Sequence, residues 1–188
     1  MTKRVLIPLA DGFEEIETMT VIDVLRRAGV TVVTAGLHGG ALNGAHQVRL
    51  LADIELNQAQ EQEFDALVLV GGQPGVDNLR ADPRVLDLLR TMSAKQKIIG
   101  AICAAPLVLR DAGLTPGLNL TSYPGIKNEL PGSMYSEERV VTDRFYITSR
   151  SPGTAMEFAL TLVEKIVSSA KARDLAREML VVLPSAHC

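Results

Sequence analysis

Four short apolar runs, bounded by turn residues and separated by amphipathic helical stretches, constrain this chain more than any other feature. They occupy residues 5–9, 30–34, 66–70 and 98–102. Each is too short for an ordinary helix, and all but the threonine-bearing second are too continuously apolar for a strand with one wet face, so together they read as strands of a parallel sheet covered on both faces. Parallel neighbours need crossover connections, and helical patterns at about residues 14–28 and 83–94 supply them, with helical composition again at 104–111. Beyond Gly113 the spacing predicts short strands near Leu118, Val140 and Ile147. A long helix should open at Thr154, with Glu157 three residues on completing a capping box, and a last helix should cover about residues 171–180. No repeat or linker interrupts the pattern. The expected fold is α/β, a flavodoxin-like doubly wound, mostly parallel sheet sandwiched by helices, forming a single domain over residues 1–188.

Composition removes several function classes. Hydrophobic residues make up 47% of the chain and charged residues 22%, enough for a proper core under an ordinary surface. A net charge of −3 argues against nucleic acid, which needs a concentrated basic face, and a chain without Trp offers little for base stacking. No apolar run approaches the roughly 20 residues that span a bilayer. Lys3-Arg4 precede an apolar stretch at residues 5–10, but Asp11 ends it short of a signal-peptide core, which runs to about 7–15 residues before a small-residue cleavage site. Cys103 and Cys188 do not make a disulfide framework. A cytoplasmic protein with reduced thiols is expected.

Candidate chemistry gathers at the ends of the predicted strands. Cys103 directly follows one strand and precedes Ala104-Ala105-Pro106, the small and helix-starting residues that a sharp strand-to-helix turn requires. Open α/β sheets keep their sites at that edge. A thiol at a helix N-terminus should ionise below the usual ~8.5; the competing reading is an inert buried cysteine. At ~100° per residue, Glu17 shares a helix face with Val21, Val24 and Ala28. A carboxyl on a core-facing stripe needs a partner or a raised pKa. Glu15, Asp23 and Arg26 point elsewhere, as solvated residues should, and Glu14 and Glu15 read as helix-start residues answering the dipole. Gly71-Gly72 end the third strand, where backbone N–H groups could approach a bound oxygen, although an ordinary tight turn explains the pair equally well. This is neither a dinucleotide fingerprint nor a phosphate-binding loop. His38, His46 and His187 are scattered and show no metal-ligand spacing. No cofactor and no metal are expected.

The segments 11–17 (DGFEEIE), 71–72 (GG), 101–106 (AICAAP) and 148–154 (TSRSPGT) together resemble the DJ-1/ThiJ/PfpI superfamily, in its DJ-1-like branch, across nearly the whole chain. The resemblance implies a homodimer. It implies that Cys103 is a redox-sensitive nucleophile, readily oxidised to a sulfinate, with Glu17 as the protonated acid beside it and the N–H groups of Gly72 and Ala104 as oxyanion contacts. Three positions depart from the family. Protease-like relatives carry histidine directly after the cysteine, where this chain has Ala104. Tyr123 stands where the DJ-1-like branch places a histidine. Two pocket arginines of that branch align with Arg27 and His46, so one is replaced. The leading expectation is a cofactor-free, cysteine-dependent stress-response protein acting on small reactive aldehydes, with glyoxalase or deglycase chemistry that converts methylglyoxal to lactate. The alternatives are a non-enzymatic oxidative-stress sensor or chaperone built on oxidation of Cys103, and, behind it, an amidase or peptidase.

Overall fold

The computed structural model describes residues 2–182; Cys188 and His187 lie outside them. The chain runs β1 (Arg4–Leu9), α1 (Glu15–Arg27), β2 (Thr31–Gly36), a hairpin of β3 (Ala41–Asn43) and β4 (Arg49–Leu51), β5 (Ile54–Glu55), α2 (Leu56–Ala59) and β6 (Ala66–Leu69). It continues with α3 (Gly75–Ala81), α4 (Pro83–Ala94), β7 (Ile98–Ile102), α5 (Pro106–Asp111), β8 (Asn119–Leu120) and β9 (Met134–Tyr135). It ends with β10 (Val140–Asp143), β11 (Tyr146–Ser149), α6 (Ala155–Ile166) and α7 (Ser169–Glu178). Seven strands form the main sheet in the order β10-β11-β7-β6-β1-β2-β5. All its pairings are parallel except β10 with β11. This is the mostly parallel flavodoxin-like sandwich that the apolar runs predict.

The run at the start of the chain shows why these segments are strands. Side chains alternate between faces of a strand, so Val5, Ile7 and Leu9 enter one core with Val21, Val24 and Leu25 of α1 and Phe158 and Leu162 of α6. Leu6 enters the other, with Leu67, Leu69, Leu79, Leu89 and Leu107. Both faces are dry, so both sets must be apolar. Helix α1 leaves β1 on the first face and leads towards β2, whereas α3 and α4 leave β6 on the second and lead towards β7. The connections therefore diverge between β1 and β6, and the C-terminal end of that gap is where such sheets hold ligands.

Two details differ from the sequence pattern. Thr154 does not cap α6 with its side chain. Its Oγ1 bonds Ser149 Oγ at 2.7 Å and donates to Ser151 O at 2.9 Å, while Glu157 takes the Arg139 guanidinium at 2.8 Å. The capping box is drawn apart by these partners from β11 and the loop before β10. The strands β3, β5 and β9 and the helices α2 and α3 have no counterpart in the sequence expectations, since elements this short show no period.

Candidate active site

Cys103 occupies a tight elbow between β7 and α5. Its φ is +64°, in the left-handed region that non-glycine residues seldom enter. Two backbone bonds hold it there: Cys103 N–H donates to Ser149 O at 3.0 Å, and Tyr123 N–H donates to Cys103 O at 2.8 Å. The end of β11 and the loop after β8 thus clamp the elbow from either side.

Glu17 arrives from the first turn of α1 and is 0% exposed. Its Oε2 accepts the Gly71 N–H at 2.7 Å. Its Oε1 is buried and meets no N–H or O–H donor among the described residues. Gly71 explains how the two groups come together. A methyl group built on it would lie 2.6 Å from Cys103 Cβ, 2.7 Å from Glu17 Oε2 and 3.1 Å from Cys103 Sγ. Only a residue without a side chain lets the thiol and the carboxyl flank one backbone position. Gly72, with φ +100°, lies equally tight against the backbone of Gly12, Phe13 and Glu14.

Burial raises the pKa of Glu17 to about 7, with the nearby Glu14 charge adding to it and the Gly71 N–H pulling the other way. Burial also pushes the Cys103 thiol up, and ionised Glu17 pushes it further, against the Ala104 N–H, which favours the thiolate. The expected net lowering by a helix N-terminus is therefore overturned, because desolvation and Glu17 outweigh the dipole of the six-residue α5. Two negative charges in so dry a space repel strongly. Near neutrality the pair holds at least one proton, and the bare Glu17 Oε1 is the oxygen available to carry it.

The other candidates fall into two groups. Ala104 is buried with its N–H directed at the sulfur, and neither that N–H nor the one on Gly72 meets a backbone carbonyl among the described residues. Tyr123 contributes backbone to the elbow, but its ring folds over Gly125 and stays 48% exposed. Arg27 is not brought to Cys103 within the chain. It pairs with Asp23 at 2.7 Å, ten residues and ~15 Å of helix beyond Glu17, because α1 carries its first turn, not its last, to the site. Nor are His38 and His46 delivered to the sulfur. His38 bonds Asp11 at 2.7 Å and Gly39 O at 2.8 Å, and His46 bonds Glu15 at 2.9 Å.

Glu14 caps α1, as a helix-start residue should, but the sequence pattern misjudged the exposure of Glu15. It is nearly buried rather than solvated, because the β3–β4 turn folds over it. Glu15 accepts from His46 N–H at 2.6 Å, His46 Nδ1 at 2.9 Å and Val48 N–H at 3.4 Å. Glu14, Glu15 and His46 bring possible ligand atoms within 4.8 Å of one another, yet Glu15 and His46 already satisfy each other, so that pair anchors the hairpin. A cleft of about 390 Å³ opens farther along the sheet edge, lined by Asp11, His38, Asn78 and Asp82 among others. Both His38 nitrogens and both Asp11 oxygens there have protein partners.

The sequence profile of a known family, DJ-1/PfpI, matches residues 3–165, the span that holds the elbow and the buried glutamate. The chain belongs to the DJ-1/PfpI family. It is 43% identical to the protein dj-1beta of Drosophila melanogaster over 184 residues, spanning 96% of this chain and 98% of that one. The crystal structure of Drosophila DJ-1beta superposes with a TM-score of 0.94 at 42% identity, covering 97% and 100% of the two chains. An oxidised Toxoplasma gondii DJ-1 gives 0.93 at 34% identity, with the same coverages. A Caenorhabditis elegans relative named glutathione-independent glyoxalase DJR-1.2 is 34% identical over 177 residues, spanning 93% of this chain and 94% of that one. Among the described residues, no helix is long and apolar enough to cross a membrane.

Proposed function

We propose that this member of the DJ-1/PfpI family is a cofactor-free enzyme that converts small reactive aldehydes, typified by methylglyoxal, to hydroxy acids at Cys103. The observation that carries the reading is Glu17: a fully buried carboxyl with a pKa near 7 and one bare oxygen, placed beside a partly accessible thiol. A group poised near neutrality can take and return a proton in one cycle. The name of the C. elegans relative supports the same chemistry.

The steps balance without an added oxidant. The Cys103 sulfur attacks the aldehyde carbon, the thiol proton passes by way of Glu17 to the aldehyde oxygen, and a hemithioacetal forms. The oxygen that becomes anionic rests against the Gly72 and Ala104 N–H groups. Glu17 moves a proton from the former aldehyde carbon to the neighbouring carbonyl carbon while the hydroxyl proton of the hemithioacetal passes to the neighbouring oxygen, so the first carbon is oxidised to a thioester as the second is reduced to an alcohol. Water then releases lactate and restores the thiol. Lactate formation from methylglyoxal without glutathione tests this directly. Cys103→Ser and Glu17→Gln should each lose at least a hundredfold in kcat/KM. A folded parent protein that makes no lactate defeats the reading.

A second reading, an oxidation sensor acting through Cys103 without turnover, is favoured by the oxidised Toxoplasma relative and becomes the leading account in that event. The amidase or peptidase reading has little support, since His38 and His46 are both engaged elsewhere. We further propose one domain working as a homodimer in the cytoplasm. Exposed Ile16 and Met19 on α1, with Val48 and Leu51 of the hairpin, give such a dimer an apolar face. Light scattering should return twice the 20.2 kDa chain mass; a monomer refutes that part.

A further inference from the structure

Glu14 stands where helices usually carry a shorter side chain. It is the N-cap of α1, and its Oε2 accepts the Glu17 N–H at 2.7 Å. Ser, Thr, Asp and Asn are the favoured caps; a glutamate does the same job with an extra methylene. Here it does so while only 7% exposed. The rest of the residue is equally fixed. Its N–H donates to Gly71 O at 2.9 Å, and its carbonyl accepts Thr18 N–H at 3.0 Å and Thr18 Oγ1 at 2.6 Å. Gly71 in turn donates to Glu17 Oε2. Glu14, Gly71 and Glu17 therefore close a ring of hydrogen bonds around the carboxyl beside Cys103.

A carboxylate in that ring does more than cap a helix, because its charge opposes ionisation of both Glu17 and Cys103. Glu15 on α1 and His46 in the β3–β4 turn also face it. Those two are paired with each other at 2.9 Å, so with His46 protonated they offset one another. Glu14 is then the carboxylate whose charge acts on both Glu17 and Cys103.

We propose that Glu14 is a positioning residue: its fixed, buried carboxylate holds Glu17 against Gly71 and keeps the shared proton on the Cys103–Glu17 pair. The inference rests on that pair being the reactive centre, whatever product it makes.

The test is the pH dependence of Cys103 alkylation by iodoacetamide, read on the Cys103 peptide by mass so that Cys188 does not contribute. Glu14→Gln and Glu14→Asn both keep a cap acceptor and remove the charge. Each should move the alkylation midpoint down by about one pH unit, raising the rate below the midpoint about tenfold. In a Glu17→Gln background the same change should be clearly smaller, because part of it runs through Glu17. A midpoint unmoved in a cap variant that melts like the parent overturns the proposal. A shift of full size in the Glu17→Gln background also overturns it, since Glu14 would then act on the sulfur alone. If Glu14→Gln does not fold, Glu14→Asn decides. A shifted midpoint in a protein that makes no lactate removes the carbonyl reading and leaves this one standing.

Discussion

Glu15 and Glu17 lie two residues apart on one helical turn, both nearly withdrawn from water, yet their acidities move in opposite directions. Glu15 gathers two backbone N–H groups and an imidazole. Burial pushes it up, but those donors outweigh burial and hold it below the usual carboxylate range. Glu17 has one backbone N–H and a bare oxygen, and burial carries it to about 7. Glu17 lies far deeper than Glu15 and has fewer donors, and both differences push its acidity the same way. The first carboxylate fastens a hairpin; the second is left able to trade a proton.

Stability measured against pH separates the two most sharply. The folded pKa of Glu17 lies above its unfolded value of 4.5, so the folded state binds the extra proton, and stability falls as pH rises from about 4.5 through 7. Glu17→Gln has no proton to lose. Its stability relative to the parent should therefore climb by about 3 kcal/mol between pH 4 and pH 8, taking 1.36 kcal/mol per unit. Urea unfolding at both pH values reads this, and a flat difference would mean that Glu17 is ionised at no cost and the comparison fails.

Glu15→Gln should behave in the opposite sense and more weakly. The folded pKa is depressed, so its stabilisation is present above the unfolded pKa and disappears as pH falls through the folded one. Loss of hydrogen bonds to a charged acceptor predicts about 2 kcal/mol of destabilisation at pH 7, shrinking towards pH 3 in the same urea experiment. Equal destabilisation at both pH values would assign Glu15 a role in packing alone. The smallest effect belongs to Tyr123→Phe, because the phenol ring lies over Gly125 and is half exposed. Lactate formation should stay within about twofold of the parent, and a tenfold loss would place the hydroxyl in the chemistry beside Glu17.

The sequence by itself determined the long core strands, the sheet edge and the place of Cys103 on that edge. A parallel strand dry on both faces must be apolar throughout, so β1, β6 and β7 are visible as runs, and a cysteine at the end of one falls at the functional edge. Helical phase likewise put Glu17 among Val21 and Val24, because a period of 3.6 is written locally. Tertiary structure decided the rest. Glu15 is buried by a hairpin whose contacts to it span some thirty residues of chain. Arg27 is left at the far end of α1, and Thr154 is drawn off its capping role by Ser149 and Ser151. The acidity of Cys103 belongs to this class as well. A local reading sees the helix that follows the thiol, whereas desolvation and a carboxylate 86 positions earlier in the chain act on it only once the sheet has brought them together. Backbone pattern is a property of neighbours in sequence; ionisation is a property of neighbours in space.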